Sequence, residues 1–123
     1  MRGDDFDFVD NPPIVDIQIV PEAPGRKFDG DKLRYDLIPP LALDEMVKVL
    51  TFGAQKYEPD NWQKVPDSKR RYFAAAQRHL WKYQQGEKLD SESGIHHLAH
   101  AMCCIYFLYE HDVKYSVDNT PQI

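Results

Sequence analysis

The chain has 123 residues, 42% of them apolar, and a formal charge of −5. That length suits one domain with a real core, and no run of ~18 or more apolar residues marks a membrane span. The acidic balance disfavours general nucleic-acid binding, which needs a basic face. The start, MRGDDFDFVDNPP, lacks the apolar stretch of a signal peptide, so a cytoplasmic location is expected.

Seven of the acids and three of the bases fall in residues 1–30, which read as an acidic N-terminal arm. Within it, IVDIQIV alternates Val15, Ile17 and Ile19 with Asp16 and Gln18, the pattern of a short strand ended by Pro21. Such a strand needs a partner, either in this chain or in another subunit. PEAPGRKFDGDK is rich in turn residues. Residues 31–115 then read as a helical domain, and residues 116–123 as a C-terminal tail.

Pro39-Pro40 stops extended chain and suits a helix start. Leu43, Val47, Leu50, Ala54 and Tyr57 recur at helical spacing, which predicts a first helix from about Leu41 to Tyr57, ended by Pro59. EPDNWQKVPD is a loop. A second helix is predicted from about Ser68 to Gln85, with Asp67 or Ser68 as N-cap and Gly86 closing it. Tyr72, Phe73, Ala76, His79, Leu80 and Tyr83 share one half of its wheel, and Arg71, Arg78 and Lys82 a narrow basic stripe. A third helix is predicted from about Ser93 to Val113, with Asp90 or Ser91 as its N-cap. The fold class is therefore mainly α, a three-helix bundle with an N-terminal extended arm or short strand.

The third helix carries ESGIHHLAHAMCC near its start. On a helical wheel His96, His97, His100 and His111 keep to one side, while Leu98, Met102 and Ile105 keep to the other. The spacings His97–His100 and His96–His100 put two imidazoles on adjacent turns, where they could share one ion. Glu87, Asp90 and Glu92 lie just upstream as oxygen donors, and carboxylate with imidazole suits Mn²⁺ or a similar ion better than a thiolate zinc site. Surface or satisfied core histidines remain the plain reading of the same cluster. His79 reads as a hydrogen-bonded core histidine. The adjacent Cys103 and Cys104 cannot staple a fold and read as reduced, core-type thiols.

For phosphate, Arg78 on the basic stripe, Lys32 and Arg34 in GDKLRYD, and Lys56 at the end of the first helix supply cations. A solvated face and a helix-dipole contact are their plainer readings. Lys56, Tyr57, Asn61 and Trp62 together offer a cation, an amide for base edges and rings for stacking, a set suited to a nucleotide.

Three segments, KLRYDLIPPLAL, FGAQKYEPDNW and RYFAAAQRHLWKYQQGEKLDSESGIHHLAHAMCC, resemble the phage-associated dATP/dGTP diphosphohydrolases, including the MazZ-type enzymes. These are related to the all-α nucleotide pyrophosphohydrolases of the MazG and HisE type. The resemblance spans about Lys27 to Glu110. It implies a MazG-like bundle whose helices assemble across subunits as a dimer or tetramer. It also implies metal-dependent hydrolysis of a purine deoxynucleoside triphosphate, dGTP or dATP, to the monophosphate. In a phage with 2-aminoadenine DNA such an enzyme would supply dGMP to modified-purine synthesis, in the host cytoplasm. MazG relatives hold Mg²⁺ with Glu-x-x-Glu and Glu-x-x-Asp pairs. Here Glu87-Lys-Leu-Asp90 keeps the second spacing, and His97-Leu-Ala-His100 stands where a further acidic pair is expected.

The resulting expectation is a metal, Mn²⁺ or Mg²⁺, held by Glu87, Asp90, His97 and His100, with Glu87 or Asp90 able to take a proton from water. The nucleotide would meet Lys32, Arg34, Lys56, Tyr57, Asn61, Trp62 and Arg78. A non-catalytic nucleotide- or metal-binding regulatory module is the other reading of the same residues.

Overall fold

A computed structural model describes residues 23–116. The predicted strand of IVDIQIV and the remainder of the tail lie outside the described residues. The chain divides into two units, Met1–Arg34 and Tyr35–Ile123. In the first, a turn is closed by the Lys32 N–H donating to the Asp29 carbonyl at 3.1 Å.

The second unit is mainly α. It holds α1 (Pro40–Lys56), α2 (Ser68–Gln84) and α3 (His97–Ser116), with short 3-10 turns at Tyr35–Leu37 and Asn61–Lys64. No strand is present among the described residues, only an isolated bridge between Leu89 and His96. α1 starts where the prolines allow it: Pro40 occupies the first turn, where its missing N–H breaks no helical bond. α2 ends with Gly86 at φ +103°, a left-handed conformation that glycine adopts without steric cost.

α3 begins at His97, so neither Asp90 nor Ser91 is its N-cap. The predicted start at Ser93 fails because Gly94 turns the backbone to φ +74°. The His97 N–H then bonds back to the Lys88 carbonyl at 2.8 Å, closing a small loop before the helix. Capping falls to His96, whose Nδ1 accepts the Leu98 N–H at 3.1 Å. His96 is thereby tied to the helix end.

α3 packs against both α1 and α2. The buried apolar residues are small: Ala76 of α2 and Ala99, Ala101, Cys103 and Cys104 of α3. Small side chains at the crossing let the α2 and α3 backbones approach closely. The histidine side of α3 is the inward side, since His97 and His111 are buried while Ile105 is 53% exposed. Much of the large apolar surface stays open, including Leu43, Val47 and Leu50 on α1 and Tyr106 and Tyr109 on α3.

Candidate metal centre and nucleotide cleft

The loop between α2 and α3 is built around Asp90. Its Oδ2 accepts the backbone N–H of Ser93 at 2.9 Å and of Glu92 at 3.1 Å. Its own N–H donates to the Ile95 carbonyl at 2.9 Å, and the Gly94 N–H donates to its carbonyl at 2.8 Å. Burial works against the Asp90 charge, but the Ser93 backbone and hydroxyl outweigh it and hold the carboxyl below its ordinary range. The sequence thus spends a Ser, an Asp and a Gly on aiming one carboxylate.

That carboxylate points to where α2 meets α3. One ligand atom each from His79, Asp90 and His97 lie within 4.8 Å of one another. His79 Nδ1 and His97 Nδ1 are 2.8 Å apart. Burial, then the neighbouring His100 and His97, push His79 down to about 4, so it is neutral near pH 7. His100 stacks on His79 with ring centroids 4.6 Å apart and planes 10° from parallel. Its Nε2 lies 2.7 Å from Ser93 Oγ and 4.0 Å from Asp90 Oδ2. Burial lowers His100 too, with Asp90 opposing.

Of the four expected ligands, Asp90 and His97 belong to the convergent trio. His100 stands beside it, and Glu87 touches the far nitrogen of His97, Oε2 to Nε2 at 2.8 Å. No spacing in the sequence marks His79 as a ligand. Its place on the inner stripe of α2 fits a core histidine equally well, and only the histidines across the interface set it apart. The two imidazoles and the carboxylate form a nitrogen–oxygen donor set that fits a divalent transition ion.

The two thiols are not part of such a set. Burial drives Cys103 up to about 12 and Cys104 to about 11, and Cys103 donates to the Met46 carbonyl at 3.4 Å. Both behave as the small core residues expected.

Beside the trio runs a cleft of about 750 Å³ between the helices, within the usual range for small-molecule sites. Asp90, His79 and His100 form part of its wall, and Lys56, Tyr57, Asn61, Trp62 and Arg78 another part. Five of the seven nucleotide-binding candidates therefore share one cavity. Lys32 and Arg34 lie in the other unit. Lys56 is paired with Glu92, which the sequence did not single out for that role. Trp62 is fixed by α3: it stacks on Phe107 at 4.6 Å between centroids and meets the edge of His111 at 5.3 Å. His111 Nε2 also lies 3.3 Å from the Trp62 carbonyl oxygen.

Comparison with known proteins matches residues 22–119 to the family model described as dATP/dGTP diphosphohydrolase, N-terminal. A dATP/dGTP diphosphohydrolase of Salmonella phage PMBT28 is 36% identical over 85 residues, covering 69% of this chain and 29% of that protein. The chain thus spans under a third of the length of the curated relative it matches. No solved structure matches it. With the match running through all three helices, the chain belongs to the dATP/dGTP diphosphohydrolase, N-terminal family.

Proposed function

We propose that this domain binds a purine deoxynucleoside triphosphate, dGTP or dATP, and hydrolyses it to the monophosphate with a divalent ion. The observation that carries this reading is the juxtaposition of the His79–Asp90–His97 trio with a cleft holding Lys56, Asn61, Trp62 and Arg78. The name of the phage relative supports the substrate class.

His79, Asp90 and His97 would hold the ion, with His100 in reserve beside them. A divalent ion held there would neutralise phosphate charge and lower the pKa of a water. Lys56 and Arg78 offer cations to the triphosphate chain. Trp62, pinned by Phe107, is pre-organised for base contact, and Asn61 brings an amide to the same rim. Asp90, in the cleft wall, would accept a proton from water. The imidazole-containing donor set favours Mn²⁺ over Mg²⁺. The exposed apolar faces of α1 and α3 suit a homo-oligomeric assembly. The product dGMP would feed 2-aminoadenine nucleotide synthesis in a phage-infected cell.

The test is turnover of dGTP and dATP with Mn²⁺ and with Mg²⁺, products separated by chromatography. Monophosphate release is expected, faster with Mn²⁺. A second reading is a non-catalytic nucleotide- or metal-binding module. It is favoured by the family model's description as an N-terminal region and by the chain's covering only 29% of the phage relative. Tight nucleotide binding without turnover under either metal would establish it and end the enzyme reading.

A further inference from the structure

The His97 ring is almost fully buried, at 2% exposure, and has a different neighbour at each nitrogen. Nε2 meets the Glu87 carboxylate at 2.8 Å, and Nδ1 meets His79 Nδ1 at 2.8 Å. A neutral imidazole carries one N–H, and an ionised carboxylate can only accept. In its neutral form His97 therefore carries its proton on Nε2, facing Glu87. Its Nδ1 is then left with a lone pair, directed at His79.

We propose that Glu87 is a positioning residue that fixes the tautomer and ring orientation of His97, so that Nδ1 is presented as a metal donor. This rests on the metal-site reading above and changes the part Glu87 plays in it: the carboxylate acts through the imidazole and leaves the ion to His79, Asp90 and His97. A carboxylate behind a ligand histidine orients the ring and raises its basicity. The geometry has a consequence for His79. While its Nδ1 lies against the unprotonated Nδ1 of His97, His79 must be the donor, with its proton on Nδ1. An ion held at His79 Nδ1 would need that proton to leave the nitrogen, with His79 Nε2 as the ring's other site for it. In the metal-free protein the His79–His97 hydrogen bond is thus a placeholder for the ion.

Glu87 lies just beyond α2 with its side chain 45% exposed. Its replacement removes little packing, and circular dichroism checks that Glu87→Ala and Glu87→Gln are folded. Nitrogen NMR of the full chain labelled at histidine reads the tautomers directly. The metal-free wild type is expected to show His97 protonated at Nε2 and His79 at Nδ1. Glu87→Gln, whose side-chain carbonyl still accepts, is expected to keep that pattern. Glu87→Ala is expected to give a mixture of His97 tautomers. Calorimetric Mn²⁺ affinity should fall ~10–100-fold in Glu87→Ala and distinctly less in Glu87→Gln.

A wild-type His97 protonated at Nδ1, or a tautomer unchanged in Glu87→Ala, overturns the proposal. Equal, severe loss of Mn²⁺ in both variants also overturns it, because it would make Glu87 a direct ligand. No Mn²⁺ binding by the wild type overturns the metal-site reading. The tautomer measurement then still decides whether Glu87 controls the ring.

Discussion

His79 of α2 and His97 of α3 meet nitrogen to nitrogen, 2.8 Å apart, across the α2–α3 interface. Two imidazoles brought together this way share one proton or one cation. Removing either ring should cost the site its ion. His79→Ala is expected to weaken Mn²⁺ binding by ~100-fold or more, about 3 kcal/mol, as read by calorimetry. Lys82→Ala, on the basic stripe of α2, should leave the affinity within about twofold by the same conversion. An unchanged affinity in His79→Ala would remove His79 from the ligand set.

The same pair makes the metal-free protein acid-sensitive. Folding lowers His79 from its ordinary value of 6.5 to about 4. The unfolded chain therefore takes up a proton that the folded chain refuses. The contribution of His79 is fully present above about pH 6.5, declines as pH falls toward 4, and is constant below. His100 shifts in the same direction. The urea midpoint of metal-free protein should be lower at pH 5 than at pH 7.5, and His79→Gln should reduce that difference. Equal wild-type midpoints at the two pH values would contradict the assignment.

Gly94 sets the turn that aims Asp90. Its φ of +74° is costly for any residue with a Cβ, although a Cβ there would meet nothing within 4 Å. Gly94→Ala should therefore lose ~1–2 kcal/mol through the backbone alone, measured by urea unfolding. Gly94→Asn should lose less, since asparagine tolerates this region. A loss in metal affinity alongside would show the strain reaching Asp90.

Trp62 links stability to the cleft. Its stack on Phe107 and edge contact with His111 tie the 3-10 turn to α3. Trp62→Ala should cost roughly 2 kcal/mol, less than the ~3–5 of a fully buried aromatic. Trp62→Phe should recover most of it. If Trp62 also contacts the base, Trp62→Phe will raise KM for the nucleotide while the melting temperature stays near wild type. A wild-type KM in the folded Phe variant would confine Trp62 to packing.

The sequence by itself determined the three helices, because apolar spacing, Pro39-Pro40 and Gly86 act locally along the chain. It also determined that Cys103 and Cys104 are free thiols, since neighbouring cysteines on a helix cannot bridge. The two inner-facing histidines expected as ligands were partly legible: His97 and Asp90 converge, and His100 lies beside them. Tertiary structure alone decided which side of α3 faces inward, because a wheel sorts residues into faces without saying which face meets a neighbour. It brought in His79, 18 positions from its partner, where no spacing rule reaches. It placed Glu87 on the far nitrogen of His97 and gave His96 to the helix cap. Periodicity fixes directions within one helix, whereas ligation depends on distances of a few ångströms between helices, and only their packing sets those.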